Sequence, residues 1–211
     1  MKKLESSFKN MAIVLTAVAV VAGLLLGYVN KVTAEPIAQA NAKALSDAIA
    51  LVVPGFDNDP AAEAETIEVD GASYTIYKAT KGGEFIGAAV ESSANGFGGA
   101  LRVLVGFDAE GNIIDYSLLS HAETPGLGSK AADWFKKGGK GDITGRNPGE
   151  KPLTVSKDNG DIDAITASTI TSRAFLNAVN AAYAAYAKHN GDASAADLNG
   201  ATGATQHVEQ N

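Results

Sequence analysis

The run His121-Ala-Glu-Thr-Pro-Gly-Leu-Gly128 puts an imidazole and a carboxylate two positions apart, on one side of an extended chain. Near one another, a carboxylate would favour the protonated imidazole. Thr124, Pro125, Gly126, Leu127 and Gly128 then make a rigid turn whose backbone amides would receive an anion or a ring oxygen. The plain alternative is a surface loop with a solvated His121–Glu123 pair. Upstream, Asn95-Gly-Phe-Gly-Gly99 carries Gly96, Gly98 and Gly99, which permit positive φ and let a flat ligand lie against the backbone. The same residues equally suit an ordinary glycine-rich turn. Downstream, Asp163-Ala-Ile-Thr-Ala-Ser-Thr-Ile-Thr-Ser172 gathers the hydroxyls of Thr166, Ser168, Thr169 and Thr171 where a long helix should begin. One of them can cap that helix. The same terminus presents unpaired donors and positive partial charge, a seat for a phosphate.

The elements that must position these segments follow from periodicity. Alternation of apolar and polar residues predicts strands over 66–69, 73–79, 85–92, 100–107 and 112–119. Asp70-Gly71 marks a hairpin between the first two strands, and Asp108-Ala-Glu-Gly111 a turn between the last two. A short helix is expected over 129–137 with Trp134 and Phe135 inward, then a Gly/Lys/Pro-rich loop over 138–151. Leu153–Val155 reads as a short strand before an Asp158-Asn-Gly turn. Phe175, Leu176, Val179, Ala182, Tyr183 and Tyr186 form an apolar stripe along a helix from about Thr169 to His189, capped by Asn190-Gly191. Hairpins followed by helices predict an α+β domain with a twisted, mostly antiparallel sheet and flanking helices.

Ahead of the domain, residues 11–29 read MAIVLTAVAVVAGLLLGYV, without a charge. A helix of that length rises about 28 Å, near the hydrocarbon thickness of a bilayer. Lys2, Lys3 and Lys9 precede it with Glu5 as the single acid, which predicts a cytoplasmic N-terminus over 1–10 and delivery of the rest to the other side. A cleaved signal peptide is the alternative, with Val32-Thr33-Ala34 as a small-residue cleavage pattern. Apolar residues at helical spacing from Pro36 to Val53 predict a separate membrane-proximal helix, within a linker region 30–65. The globular domain is expected over 66–190. Residues 191–211, with almost no large apolar side chains, read as a disordered tail.

Composition excludes several classes. The net charge of −7 argues against nucleic-acid binding, which needs basic residues to neutralise phosphates. Absence of cysteine removes disulfides, thiolate metal sites and Cys-ligated clusters. Three scattered histidines, His121, His189 and His207, suggest no metal centre.

Together, His121-x-Glu-Thr-Pro-Gly-Leu-Gly128, Gly96-Phe-Gly-Gly99 and Asp163-x-x-Thr-Ala-Ser-Thr-x-Thr-Ser172 resemble the FMN-binding domain of the G subunit of the Rnf electron-transport complex. The wider family includes the C subunit of the sodium-pumping NADH:quinone reductase. The resemblance runs from the anchor to about His189. It implies that a flavin transferase joins FMN, through its phosphate, to the last Thr of a Ser/Thr-Gly-Ala-Thr motif, which falls on Thr169. Asp163, Thr169, Thr171 and Ser172 keep their family places. Thr166 stands where Ser is commoner, Ala167 where the family has Gly, and Ser168 where it has Ala. The implied role is electron transfer beside other membrane subunits of an ion-translocating ferredoxin:NAD oxidoreductase. Thr169 would be used once, in maturation, and no residue would act as a catalyst. Thr124 to Gly128 and Gly96 to Gly99 would position the flavin, with His121 and Glu123 near it. The alternatives are a place in the quinone-reducing relative, as its C subunit, and a cofactor-free anchored module.

Overall fold

The computed structural model describes residues 8–191. The expected N-terminal segment before residue 8 and the expected tail from residue 192 lie outside the described residues.

The chain divides into two compact units, residues 1–44 and 45–211. The described part of the first unit is wholly helical. It belongs to α1 (Phe8–Val52), a helix long and apolar enough to cross a membrane. Leu15, Leu24 and Leu26 are each about 70% exposed or more, so an exposed apolar surface runs along it. The expected break before a separate membrane-proximal helix is absent: Pro36 lies inside one unbroken helix. Proline removes a single amide donor, and the alanines around it at 34, 38, 40, 42 and 44 are strong helix formers that carry the backbone through.

The second unit opens with the last turns of α1 and continues into five strands. These are β1 (Glu65–Val69), β2 (Ala72–Lys81), β3 (Glu84–Asn95), β4 (Ala100–Asp108) and β5 (Ile113–Ser120). They form one antiparallel meander in chain order. Asp70 and Gly71 both have positive φ (52° and 79°), as a two-residue hairpin turn of primed type requires. After β5 come α2 (Ala131–Trp134) and α3 (Thr169–His189). The architecture is α+β, as the hairpin pattern predicts.

Both faces of the sheet are covered, because the strand period of two divides its apolar residues between them. Ile76, Ala88, Val90, Val103, Val105 and Phe107 face α3. Tyr77, Ala79, Ala89 and Leu104 face Ala48, Ile49, Val52 and Val53 at the end of α1. Gly106 allows that second contact, since a Cβ there would overlap the Val52 carbonyl.

Three differences from the periodic pattern have tertiary causes. The helix expected over 129–137 shrinks to a 3₁₀ turn and the single turn of α2. Phe135 leaves the helix to stack on Phe175, with ring centroids 4.4 Å apart, and its carbonyl accepts from the Ile143 amide. Trp134 packs against the core as expected but is only half-buried, and its indole N–H donates to the Asp163 carbonyl at 2.7 Å. The strand expected at 153–155 is reduced to one bridge, Val155 to Ile162. The buried Asn180 side chain takes the place of a strand partner: it accepts from the Leu153 amide at 2.9 Å and donates to the Leu153 carbonyl at 3.0 Å.

Candidate functional site

A cleft of about 430 Å³ opens where the segment after β5 meets the start of α3. Its walls are Phe97, Glu123, Thr124, Leu127, Gly128 and residues 167–171. Phe97, Leu127 and Ile170 are 71%, 40% and 49% exposed, so large apolar side chains stand at a cleft without protein against them.

Glu123 ties the three motifs together. It is 5% exposed, and its carboxylate accepts from the Thr171 hydroxyl at 2.7 Å and from the Gly98 amide at 3.2 Å. The glycines around it make room for this arrangement. A Cβ on Gly128 would lie 2.5 Å from Glu123 Oε2 and 2.8 Å from Thr171 Oγ1. A Cβ on Gly96 would overlap Glu123 Oε1, and one on Gly98 the Ala122 carbonyl. Of the three loop glycines only Gly99 has positive φ. Close approach by Ala122 and Glu123, more than backbone strain, thus accounts for the glycine loop.

His121 and Glu123 form no side-chain pair. The imidazole is exposed, and its Nδ1 accepts the Glu123 backbone N–H at 3.3 Å, while the carboxylate turns inward. The turn after them spends several of its donors on itself. The amides of Gly126, Leu127, Ser129 and Lys130 are used within it, on Ser129 Oγ and the carbonyls of Thr124 and Leu127. That segment lines the cleft with Thr124, Leu127 and Gly128.

The start of α3 is built by Ser172. Its Oγ accepts from the Ile165 amide and donates to the Ser168 carbonyl, both at 2.9 Å, which binds the 165–168 turn to the helix. The Ser168 amide donates to the Ile165 carbonyl, closing a turn in which Ala167 has φ +62°. With Thr166 at negative φ and Ala167 positive, the turn has the type II pattern, which favours glycine at the second central position. The left-handed conformation costs an L-residue about 1–2 kcal/mol, partly offset by the greater entropy of an unfolded glycine. Ala167→Gly is therefore expected to stabilise the domain by about 0.5–1 kcal/mol. Thermal unfolding would show this as a rise of a few degrees at most.

Ser168 precedes the helix but makes no capping bond. Its carbonyl accepts the Ser172 amide, so the amides of 169–171 are the orphan donors of an uncapped helix start. Thr169 stands there, partly exposed, and its hydroxyl accepts from the Lys157 ammonium at 3.2 Å. Thr166 is exposed and Asp163 lies beside it, both lining a second cleft of about 380 Å³ with Trp134, Lys140 and Lys157. Ala167 borders both clefts.

Of the sequence-derived candidates, Glu123, Thr124, Leu127, Gly128, Ser168, Thr169 and Thr171 share the first cleft. Gly96 and Gly98 back it through Glu123 and Ala122, and a Cβ on Gly99 would lie 3.3 Å from the Ala122 Cβ. His121, Gly126, Asp163 and Thr166 are not among its lining residues. The sequence pattern did not mark Phe97, Ile170 and Lys157 as site residues. Phe97 stands inside the glycine run, whereas no local pattern singles out Lys157.

Lys157 sits on a short 3₁₀ turn, Ser156–Asp158, held to α3 by a two-pronged ion pair: Arg173 Nε and Nη2 each donate to an Asp158 oxygen at 2.6 Å. The hydrogen bond from Arg173 holds the Asp158 carboxyl below the usual range. A carboxyl depressed in the folded state stabilises fully above the unfolded aspartate range, about pH 4, and loses that contribution as pH falls through its folded value. Asp158→Asn should thus flatten part of the acid limb of a stability–pH profile below about pH 4, and change its slope little above pH 5. The side chains are partly solvated, so the effect is modest.

Comparison with known proteins places this arrangement. Residues 96–184 match the family model described as FMN-binding domain. The chain is similar to the G subunit of the ion-translocating oxidoreductase complex of Cereibacter sphaeroides, 33% identical over 181 residues and covering 82% of each chain. It is 36% identical over 166 residues to the protein of that name from Yersinia pestis, covering 74% of this chain and 78% of that one. For Aliivibrio fischeri the figures are 30% over 204 residues, 92% and 97%. Among solved structures it is similar to the C subunit of the Na(+)-translocating NADH-quinone reductase from Parabacteroides distasonis, at 16% identity and a TM-score of 0.46, covering 72% of this chain and 92% of that one. With identities above 30% along most of both chains, and an FMN-binding domain spanning the cleft, this protein belongs to the G-subunit family of ion-translocating oxidoreductase complexes.

Proposed function

We propose that this chain is the membrane-anchored flavoprotein subunit of an Rnf-type ion-translocating ferredoxin:NAD oxidoreductase, with FMN attached through its phosphate to Thr169. The observation that supports the attachment best is the state of the hydroxyls around the helix start. Thr171 is committed to Glu123, Ser172 to the 165–168 turn, and Ser168 is 8% exposed. Thr169 lies at the uncapped helix terminus, in the cleft, with an ammonium on its oxygen.

The residues present fit the group. The cleft volume lies within the roughly 300–1,000 Å³ of small-molecule sites. Phe97, Leu127 and Ile170 supply apolar surface for a flat ring, while Lys157 and the amides of 169–171 suit a phosphate. When bound, FMN supplies the capacity to pass electrons between other carriers. Glu123, through Thr171 and Gly98, keeps the glycine loop and α3 in fixed relation, so the cleft is shaped before the cofactor arrives. Thr169 acts in maturation alone: its hydroxyl loses a proton to a base of the flavin transferase and forms the Oγ–P bond. The donor is a phosphoanhydride of FMN, whose P–O bond breaks to release its other phosphate-bearing half. Attachment makes cofactor retention an intramolecular matter, at an effective concentration of about millimolar or more.

The lysines before the apolar segment support a cytoplasmic N-terminus and a domain on the other side of the inner membrane. Its partners would then be the other membrane subunits of the complex. The full chain matured with a flavin transferase tests the reading. Intact mass should show one FMN, less water, and the band should fluoresce on a denaturing gel. Bare polypeptide mass would favour a cofactor-free anchored module.

A further inference from the structure

We propose that Lys157 is the cation that holds the cofactor's phosphate against the start of α3, and that the Asp158–Arg173 ion pair sets its position. This rests on attachment at Thr169. Two rungs join the 3₁₀ turn to the helix. Thr169 and Arg173 are four residues apart on α3 and so lie on one face. Their partners, Lys157 and Asp158, are adjacent in the turn. The charged rung, Asp158 to Arg173, is a planar fork and fixes orientation as well as distance. The turn is further closed by the Asp158 and Gly160 amides on the Val155 carbonyl, with Asn159 left-handed at φ 62°.

The second rung makes little sense as a stabilising bond. An exposed lysine on a neutral hydroxyl gains little against the side-chain entropy of holding it there. Its worth appears when the oxygen it touches carries a phosphate. The bond is then charge-assisted, and the phosphodiester's negative charge has both an ammonium and the helix-terminal amides beside it. Neither Ser168 nor Thr171 has a cation on its oxygen among the described residues, so the same contact favours Thr169 as the acceptor.

The test is a time course of covalent flavin incorporation into the full chain, produced with its flavin transferase. It is read by gel fluorescence and intact mass, with phosphorus NMR on the loaded protein. Lys157→Met should slow incorporation about tenfold, the factor set by losing one charge-assisted hydrogen bond, and shift the phosphorus resonance. Lys157→Arg should restore both most of the way. Arg173→Gln, which touches no cofactor, should slow incorporation by a smaller factor. Wild-type rate and an unmoved resonance in Lys157→Met overturn the proposal, and wild-type rate in Arg173→Gln overturns the role of the ion pair. Thr169→Ala run alongside separates the two readings: if it still acquires flavin, the attachment site itself is wrong. If Thr169→Ala stays dark while Lys157→Met loads normally, only the lysine's role falls.

Discussion

Thr169→Ala is expected to leave the chain without covalent flavin, whereas Ser168→Ala should load normally. The prediction follows from how the hydroxyls are employed. Ser168 is buried at 8% exposure, before the helix, and its carbonyl already accepts from Ser172. Thr171 is 1% exposed and donates to Glu123. Thr166 is open but faces the second cleft. Thr169 alone among these combines access to the first cleft with a cation on its oxygen. Replacing it should leave stability within about 0.5 kcal/mol, since alanine suits the first helical position and the hydroxyl caps nothing. A dark band with an unchanged unfolding temperature would therefore report lost attachment and not lost folding. Fluorescence surviving in Thr169→Ala, and vanishing in Ser168→Ala, would move the attachment by one residue.

The largest effect on stability is expected at Glu123. Glu123→Ala removes the acceptor of the Gly98 amide and the Thr171 hydroxyl and leaves a space between three segments. An unpaired buried donor costs about 1–3 kcal/mol, which applies to the Thr171 hydroxyl but not to the part-buried Gly98 amide, and releasing a buried carboxylate that has no ion-pair partner among the described residues recovers part of this. The expected net loss is about 2–4 kcal/mol, or roughly 5–15 °C in unfolding temperature. Glu123→Gln should fall between, because the amide oxygen can still accept from Gly98 and its N–H₂ can donate to a reoriented Thr171 hydroxyl, with only the charge-assisted strength lost. Gly128→Ala should cost about 1–3 kcal/mol by overpacking against Glu123 Oε2. Combined with Glu123→Ala it should cost clearly less than the sum, since the added methyl enters the vacated space. Strict additivity in chemical or thermal unfolding would show that Gly128 and Glu123 are not packed as described.

The anchor and the domain each carry a distinct physical signal. Along the first unit the leucines and valines of α1 are exposed, which suits lipid. In the second, apolar residues are divided between two faces of one sheet, and polar residues cluster at one end of α3.

Features that depend on residues near one another along the chain were legible without coordinates. Alternation placed all five strands within a few residues of their bounds, Asp70-Gly71 placed the first hairpin, and the apolar stripe placed the long helix at about Thr169 to His189, where it lies. Such signals are legible because a strand or helix repeats its burial every two or 3.6 residues. The meeting of the three motifs at one cleft followed a family resemblance rather than any spacing rule. Tertiary structure alone decided how they meet. Glu123 turned inward to a hydroxyl 48 residues on, so it forms no side-chain pair with His121. The glycines serve the close approach of Ala122 and Glu123, and Ala167 takes a left-handed turn that glycine would prefer. Lys157 reached Thr169 because Asp158 is gripped from within α3. Contacts between loops carry no period along the chain; packing of helix on sheet brings them together, and only then does a lysine meet a threonine.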